Sequence, residues 1–379
     1  MNQSAGATNH DMMRAALTLA RRGLGRVWPN PAVGCVLTRP DLGPGAGRVV
    51  GRGWTQPGGR PHAETVALAW AGDLAKGATA YVTLEPCSHW GKTPPCAEAL
   101  IAASVKRVVV ALEDPDPRVA GKGIEALRAA GIDVTAGLLG DEAAALNAGY
   151  LLRQREGRPL IALKSATTLD GRIATHRGES QWITGEVARS HAHGLRADHD
   201  AVMVGIGTAL SDDPHLTCRL PGLKYRSPVR IVLDPRLQLP LSSKLVGGAA
   251  KEGLPTWLMT LTGADRDRIR AYRSAGIEVI EVPHDADHRP DIDLAVKELG
   301  SRGLTRVLVE GGGHLAAALL RRGLVDRLHW FRAPSIMGGD GVPVAVALGV
   351  DALADAPRFV RQSIAAIAED GVETYIRRD

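Results

Sequence analysis

Apolar and polar positions along the chain follow two patterns, short apolar runs and longer amphipathic stretches. The amphipathic pattern appears first at residues 9–22, where Met12 and Leu19 fall on one face of a helix. The apolar pattern appears at residues 32–38 (AVGCVLT), a short run that is typical of a buried strand. The two patterns then alternate up to about residue 153. This alternation predicts a three-layer α/β/α domain in the first part of the chain.

A polar segment with glycine and proline, QREGRP at 154–159, interrupts the alternation and marks the predicted domain boundary. Strand patterns such as AVMVGIG, VRIVLD and RVLVEGGG follow, although residues 240–255 have no clear pattern. Helix patterns alternate with these strands at 185–197, 264–275, 291–302 and 314–322. We therefore predict two domains, residues 1–153 and a second α/β domain at 154–379.

Composition and charge exclude several classes of protein. The chain has 379 residues, of which 45% are apolar and 23% charged, values that are ordinary for a globular enzyme. No run of eighteen apolar residues and no signal peptide is apparent, so we expect no membrane partner. Four cysteines, two of them with zinc-like placement, indicate a reducing cytoplasm. A net charge of +5 without a basic block predicts a small phosphorylated substrate and no nucleic-acid partner.

The strongest chemical signal lies between residues 60 and 98. His62 is followed two residues later by Glu64, and Cys87 and Cys96 each follow a proline. One imidazole and two thiolates provide three zinc ligands, which leaves a position open for water and is typical of a catalytic site. Zinc lowers the pKa of such a water, and Glu64 would carry its proton to a leaving amine. Because residues two apart point away from each other on a helix, we expect His62 and Glu64 at the start of one.

Two other interpretations of this stretch stay open. Zinc deaminases have the signature H-x-E…P-C-x-x-C, whereas eight residues, SHWGKTPP, separate the two cysteines here. A structural zinc site would need a fourth ligand, for which His89 is the nearest candidate. Without a metal, the residues would be a core cysteine, a surface cysteine and a surface His-Glu pair. The prolines before Cys96 suit a helix start, which favours the catalytic site.

Glycine turns and polar loops in the second half indicate a site for an anionic ligand. Residues 309–315 (VEGGGHL) follow a strand pattern and begin a helix pattern, so their backbone amides could bind a phosphate. A tight turn between strand and helix explains the three glycines equally well. Loops at 168–174, 180–185 and 207–219 contribute hydroxyls, acids and Arg219.

Together, the motifs of both halves resemble the bifunctional deaminase-reductase family of riboflavin biosynthesis. The resemblance runs from residue 10 to about residue 345 and rests on NPAVGCV, PHAE, TLEPCSHWGKTPPC, EDPDPRVAGKG, LKSATTLDGRIAT, GESQWITG, GTALSDDPHLTCR and VLVEGGGHL. It implies a cytidine-deaminase-like N-terminal domain and a dihydrofolate-reductase-like C-terminal domain. It also implies zinc-dependent hydrolytic deamination of 2,5-diamino-6-ribosylamino-4(3H)-pyrimidinone 5′-phosphate. An NADPH-dependent reduction of the ribosyl group to ribityl would follow, giving 5-amino-6-(5-phosphoribitylamino)uracil.

The same resemblance implies roles for individual residues. The zinc ligands would be His62, Cys87 and Cys96, and the proton donor Glu64. Substrate positions in the deaminase domain would be Asn30, His89, Lys92, Asp114 and Asp116. Substrate positions in the reductase domain would be Ser180, Arg196, Leu216, Arg219 and Glu310. Positions for the nicotinamide cofactor would be Ala166, Trp182, Thr208, Asp212, Gly312, Gly313 and His314.

Two further positions concern the proton source and a departure from the family. Asp170, in the TLDG turn, is a plausible proton source for the reduction. Thr55 stands where the family often has a histidine, so its hydroxyl would have to replace that contact.

Paired α/β domains of this sort commonly self-associate, and we expect a homo-oligomer.

Two different functions compete with this interpretation. A deaminase that acts on RNA would share the zinc motif but needs a basic groove and stacking aromatics, and the chain has two Phe and five Tyr. A zinc-stapled scaffold would need no open coordination position. Both alternatives leave the second domain unexplained.

Overall fold

The computed structural model describes residues 7–91 and 94–378. The chain divides into two compact units between Glu156 and Gly157. The predicted boundary at 153/154 falls just inside a helix that continues to Glu156. This helix ends where Gly157 adopts a positive φ of 71°, a conformation that suits glycine. No helix in the described ranges is both long enough and apolar enough to cross a membrane.

The N-terminal domain is built on a mixed sheet with the strand order β2-β1-β3-β4-β5. Its strands are β1 (Gly34–Arg39), β2 (Arg48–Trp54), β3 (Thr79–Val82), β4 (Arg107–Val110) and β5 (Asp133–Ala136). Its helices are α1 (Asn9–Arg21), α2 (Ala63–Ala71), α3 (Cys96–Ala102), α4 (Lys122–Ala129), α5 (Gly140–Leu146) and α6 (Ala148–Glu156). Strand β1 pairs antiparallel with β2 and β3, whereas β3, β4 and β5 are parallel.

Strand β1 shows why the apolar run at 32–38 lies at the centre of this domain. Cys35 and Leu37 point into one hydrophobic cluster and Val36 into another, on the opposite face of the sheet. Helices therefore cover both faces, and the predicted three-layer arrangement is confirmed. Gly34 permits the close approach of α1, because a β-carbon there would overlap the carbonyl oxygen of Ala16.

The C-terminal domain contains a larger sheet with the order β11-β10-β9-β8-β12-β6-β13-β16-β15. Its strands are β6 (Leu160–Thr167), β8 (Ala201–Gly205), β9 (Val229–Leu233), β10 (Thr256–Leu261), β11 (Glu278–Val282), β12 (Arg306–Glu310), β13 (Arg327–Arg332), β15 (Phe359–Ile367) and β16 (Asp370–Arg377); a separate small sheet pairs β7 (Arg172–Ala174) with β14 (Val342–Pro343). The helices are α7 (Glu186–Ala197), α8 (Ile206–Asp212), α9 (Lys244–Glu252), α10 (Arg266–Ser274), α11 (Ile292–Ser301) and α12 (Gly313–Arg321).

The direction of the strands in the larger sheet determines where a ligand can bind. In spatial order, the seven strands β11-β10-β9-β8-β12-β6-β13 are parallel, and β16 and β15 add an antiparallel edge. The carboxyl ends of β6, β8 and β12 therefore meet at one edge of the sheet, where ligands of such sheets commonly bind. The α/β class predicted for both domains is confirmed.

The sequence patterns missed some elements of this domain. Helix α9 lies within 240–255, where no pattern was apparent, and the β15–β16 hairpin was not predicted. Most residues of β15 are exposed, because the strand forms the edge of the sheet. An exposed edge strand lacks the apolar alternation that identifies a half-buried strand in a sequence.

Candidate active sites

The three predicted zinc ligands come from three separate segments of the N-terminal domain. His62 is the N-cap of α2 and has an extended backbone (φ −71°, ψ 161°). Cys96 is the first residue of α3, directly after Pro95, as the prolines suggested. Cys87 lies in the loop that follows β3. Because His62 stands just outside the helix and Glu64 in its first turn, both side chains can face one site.

The distances between these side chains fit a zinc ion. His62 Nδ1 lies 3.3 Å from Cys96 Sγ and 3.7 Å from Cys87 Sγ, and all the ligand atoms lie within 4.8 Å of one another. Around tetrahedral zinc, with bonds of about 2.0 Å to nitrogen and 2.3 Å to sulfur, such atoms lie about 3.6 Å apart. Within 7–91 and 94–378, no other group of His, Cys, Asp or Glu side chains has metal-binding proximity.

The electrostatics of this cluster favour a thiolate at Cys87, while the hydrogen bond between the two sulfurs raises the pKa of Cys96. A hydrogen bond from the Cys96 thiol lowers the pKa of Cys87 well below its usual range, and His62 contributes in the same direction. The backbone N–H of Cys96 also donates to Cys87 Sγ at 3.3 Å. Because the thiolate is the form of cysteine that binds a metal, Cys87 is prepared for ligation.

Glu64 is buried beside the three ligands, with 3% of its surface exposed. Burial, followed by the charge of Cys87, raises the pKa of Glu64 to about 7. A carboxyl group with a pKa near neutrality can both accept and return a proton. Glu64 is outside the ligand cluster, which contains one imidazole and two thiols. The described residues thus fit a zinc site with a proton-transfer group beside it.

A second buried carboxylate, Glu85, was not predicted and connects the Cys87 loop to α4. Its two oxygens accept four backbone N–H groups at 2.8–3.2 Å, those of Asp114, Gly121, Gly123 and Ile124. Three of these donors belong to the N-terminal end of α4, where backbone N–H groups lack partners within the helix. The sequence signal was an acidic residue three positions after the end of a fully buried strand.

We expect Glu85→Gln to lower the free energy of unfolding of the N-terminal domain by about 2–5 kcal/mol. The neutral amide has one acceptor oxygen, so at least one of the buried N–H groups loses its partner, at about 1–3 kcal/mol each. Zinc release during a urea titration measures the effect, and its midpoint should move to lower urea. Glu125→Gln, on the exposed face of α4, is the matched control. An unchanged midpoint for Glu85→Gln would contradict the anchoring role.

Two predicted substrate contacts of the deaminase domain, Asn30 and His89, have polar atoms that a ligand could bind. The side-chain amide of Asn30 donates to the carbonyl oxygen of Gly59 at 3.1 Å, which leaves its own oxygen available. His89 Nδ1 is buried without a hydrogen-bond partner among the described residues, as expected of a group that awaits a ligand. Lys92 lies outside the described residues.

Asp114 and Thr55 are engaged in contacts within the fold. Asp114 accepts hydrogen bonds from the Tyr150 hydroxyl at 3.0 Å and from the backbone N–H of Asp116 at 3.0 Å. Burial raises the pKa of Asp114. The Thr55 hydroxyl accepts the backbone N–H of Val33 at 3.0 Å, and the residue is buried. The hydroxyl of Thr55 thus binds the backbone of the fold.

A cavity of about 660 Å³ lies at the carboxyl ends of β6, β8 and β12. It brings together residues that are far apart in the sequence, as expected at this edge of a parallel sheet. All the predicted substrate and cofactor positions of the reductase domain line it except His314, whose side chain is exposed in the first turn of α12. The lining members of that set are Ala166, Ser180, Trp182, Arg196, Thr208, Asp212, Leu216, Arg219, Glu310, Gly312 and Gly313.

One side of the cavity carries a cationic cluster around a buried ion pair. Arg196 donates to both oxygens of Glu310, at 2.5 and 2.9 Å. Burial alone would raise the pKa of Glu310, but Arg196 outweighs it and the pKa falls to about 2. Burial lowers the pKa of His193 to about 4, and Arg196 and Arg219 contribute. Because Glu310 neutralises Arg196, the second guanidinium, Arg219, has no carboxylate of its own in this cluster and suits an anionic ligand.

The turn at Gly311–Gly313 fits the phosphates of a dinucleotide cofactor. Gly311 and Gly312 have positive φ angles of 86° and 82°, which few other residues adopt. A β-carbon at Gly312 would lie 3.1 Å from Thr208 Oγ1, and one at Gly313 would lie 3.0 Å from the carbonyl oxygen of Pro343. Only glycine leaves the backbone open for close approach of a ligand here, and α12 begins at Gly313, the last residue of the turn.

Asp170 does not suit the role of proton source. Its carboxylate accepts hydrogen bonds from the Thr168 hydroxyl at 2.6 Å and from the backbone N–H groups of Met337 and Gly338. The Thr168 hydrogen bond is the main reason that the pKa of Asp170 falls to about 2. The group is therefore ionised at neutral pH, and it is absent from the cavity lining. The sequence placed it in a turn but could not show which donors surround it.

Two family models match separate parts of the chain. Residues 7–112 match the cytidine and deoxycytidylate deaminase zinc-binding region, and residues 159–372 match the RibD C-terminal domain. The chain is 42% identical to the riboflavin biosynthesis protein RibD of Bacillus amyloliquefaciens, over 97% of this chain and 96% of that protein. It is also 42% identical to the RibD of Escherichia coli K12, over 94% of this chain and 96% of that protein.

Solved structures give the same result. The RibD of Acinetobacter baumannii superposes with a TM-score of 0.86 at 37% identity, covering 98% of this chain and 99% of that one. A Thermotoga maritima protein described as a diaminohydroxyphosphoribosylaminopyrimidine deaminase/5-amino-6-(5-phosphoribosylamino)uracil reductase superposes with a TM-score of 0.83 at 33% identity, covering 97% and 98%. These matches account for both domains, which neither competing function did. The chain belongs to the RibD family of riboflavin biosynthesis, whose members are bifunctional deaminases and reductases.

Proposed function

We propose that the N-terminal domain deaminates 2,5-diamino-6-ribosylamino-4(3H)-pyrimidinone 5′-phosphate and that the C-terminal domain reduces the ribosyl group of the product to ribityl. The observation that carries the proposal is the cluster of His62, Cys87 and Cys96 beside the buried Glu64. A scaffold would have no use for a buried carboxyl group with a pKa near 7 beside three potential zinc ligands.

In the deaminase domain, His62, Cys87 and Cys96 would bind zinc. When bound, zinc lowers the pKa of water and so supplies a nucleophile at neutral pH. Glu64 takes a proton from the attacking water and returns it to the amine, which leaves as ammonia. His89, with its unpaired Nδ1, is a candidate contact for the pyrimidine ring. Asn30 and Asp114 are further proposed substrate contacts, and the Tyr150 hydroxyl holds the carboxylate of Asp114 by a hydrogen bond.

In the reductase domain, the residues of the cavity orient the substrate. Arg219, beside His193 and the Arg196–Glu310 pair, binds the 5′-phosphate. Ser180 and Leu216 complete the proposed substrate positions. Lys164, partly buried in the cavity lining, replaces Asp170 as the proposed proton source, because it carries a proton to donate.

The cofactor would lie across the glycine turn. NADPH supplies the hydride when it is bound. Ala166, on β6, and Trp182 border the nicotinamide, while Thr208, Asp212 and the Gly312–Gly313 backbone hold the rest of the cofactor. The positive φ angles of this turn support the proposal, since successive backbone amides in such a turn can bind phosphate oxygens.

We further propose that the protein works in the cytoplasm as a homo-oligomer, on a small molecule and without nucleic acid. The four cysteines are free thiols, which agrees with a reducing compartment. Val360 (47% exposed) and Ile364 (64% exposed) lie on β15, an edge strand that could pair with a second copy.

The function is tested by supplying zinc-loaded protein with the phosphorylated diaminopyrimidine. Ammonia should appear without any nicotinamide cofactor, since hydrolysis needs no hydride. Oxidation of NADPH should begin only after ammonia release, or at once when the deaminated substrate is supplied. NADPH oxidation on the diamino substrate without prior ammonia release would contradict the proposed order.

A further inference from the structure

The cations that line the reductase cavity are distributed unevenly about the Gly311–Gly313 turn. Lys164 lies on β6, and Arg189 and Arg196 lie on α7. Helix α7 packs on the β6–β13 side of the sheet, since its Ala188 and Ala192 share a hydrophobic cluster with Phe331 and Val372. Arg219 belongs to the same side, because its backbone N–H donates to His193 Nδ1 at 3.4 Å.

Among the lysines and arginines of the described lining, Lys244 alone lies away from this side of the cavity. It is the first residue of α9, which follows β9. Asp213, at the end of α8, binds it from the neighbouring β8 connection. Lys244 therefore lies beyond the glycine turn, on the side opposite the cluster around Arg196. In the sheet order β9-β8-β12-β6-β13, β12 separates the two groups of cations.

This distribution gives the two ends of a dinucleotide different surroundings. With the nicotinamide beside Ala166 on β6 and the diphosphate at the glycine turn after β12, the adenosine extends toward β8 and β9. NADPH differs from NADH by a phosphate on the adenosine ribose, so the cation that distinguishes them must lie at this end.

We propose that Lys244 selects NADPH over NADH by pairing with the phosphate on the adenosine ribose; this inference rests on the cofactor position assigned under the proposed function. The Lys244 ammonium lies 3.7 Å from a carboxylate oxygen of Asp213, beyond hydrogen-bonding distance, and half of its side chain is exposed. Its N–H donors are thus available to a phosphate. The other Asp213 oxygen accepts the Lys244 backbone N–H at 2.8 Å and fixes the start of α9 beside the cavity.

The acids around Lys244 make the selection depend on this one cation. Asp212 and Asp213 both line the cavity next to it. Without the lysine, two carboxylates would repel a ribose phosphate, whereas carboxylates accept hydrogen bonds from the free ribose hydroxyls of NADH. Removal of the positive charge should therefore weaken NADPH binding and leave NADH binding unchanged or tighter.

The test compares the dissociation constants of NADPH and NADH by calorimetry, at one salt concentration, for the full-length protein and its variants. Lys244→Gln should raise the Kd for NADPH about tenfold or more, with no increase in the Kd for NADH. Lys244→Arg, which keeps the charge, should retain the preference. Lys251→Gln, in the exposed last turn of the same helix, is the matched control and should bind both cofactors like the unaltered protein.

Asp213→Asn separates a selective role of Lys244 from a structural one. The amide oxygen can still accept the Lys244 backbone N–H, but the ion pair is lost, so NADPH should bind as tightly as before or more tightly. Equal loss of both cofactors in Lys244→Gln, or an unchanged ratio of the two constants, would overturn the inference. If the unaltered protein bound neither cofactor, the reductase assignment itself would fail, which is a distinguishable result.

Discussion

Replacing Glu64 with Gln should lower the rate of ammonia release by a factor of about 10²–10⁴, while zinc stays bound. Glutamine has nearly the same shape but cannot take a proton from the attacking water, and that transfer contributes about this much to the rate. The proposed zinc ligands, His62, Cys87 and Cys96, are unchanged, so metal content should remain that of the unaltered protein. Ammonia release and zinc content are measured on the same preparation.

The second domain provides an internal control for this variant. Oxidation of NADPH on supplied deaminated substrate should be unaffected, because Glu64 belongs to the N-terminal domain. Glu98→Gln, on the exposed side of the first turn of α3, makes the same chemical change near the site and should deaminate normally. Ammonia release at the ordinary rate by Glu64→Gln would remove Glu64 from the mechanism.

Replacing Arg219 with Ala should impair the reductase step alone, with a rise in KM of about 10–100-fold. The expected size follows from the loss of one charge-assisted contact to a phosphate, about 1.5–3 kcal/mol. Burial, followed by the nearby charge of Arg196, lowers the pKa of Arg219. Two cations held close together at a cavity are stabilised when an anion binds between them. Steady-state NADPH oxidation on the deaminated substrate measures the effect.

The phosphate itself can be varied to locate the contact. With a deaminated substrate that lacks the 5′-phosphate, the unaltered protein and Arg219→Ala should have similar KM values. Arg219→Lys should be intermediate, because it keeps the charge but loses the planar fork. Arg321→Ala, in the exposed last turn of α12, removes one positive charge away from the cavity and is the control. Normal KM values for Arg219→Ala with the phosphorylated substrate would place the phosphate elsewhere.

The zinc cluster could be predicted from the sequence because its signals are local. A histidine and a glutamate two residues apart need a helix start, and His62 is found at the N-cap of α2. A proline predicts the first turn of a helix, and Cys96 begins α3. Spacing and residue type carry this information without knowledge of the rest of the fold. The position of Asp170 in the TLDG turn, however, suggested a proton source, whereas its hydrogen bonds favour the ionised carboxylate.

The sequence by itself determined the α/β class, the presence of two domains and the residue types of the zinc cluster, because periodicity and local spacing report burial and chemistry directly. Only the tertiary structure decided which distant groups pair: Arg196 with Glu310, 114 positions apart, and Glu85 with the backbone of Ile124, 39 positions apart. It also placed Lys244 at the cavity, from a helix in a stretch without a pattern. A hydrogen bond or ion pair depends on where two segments meet in the folded chain, and hydrophobic periodicity carries no record of that meeting.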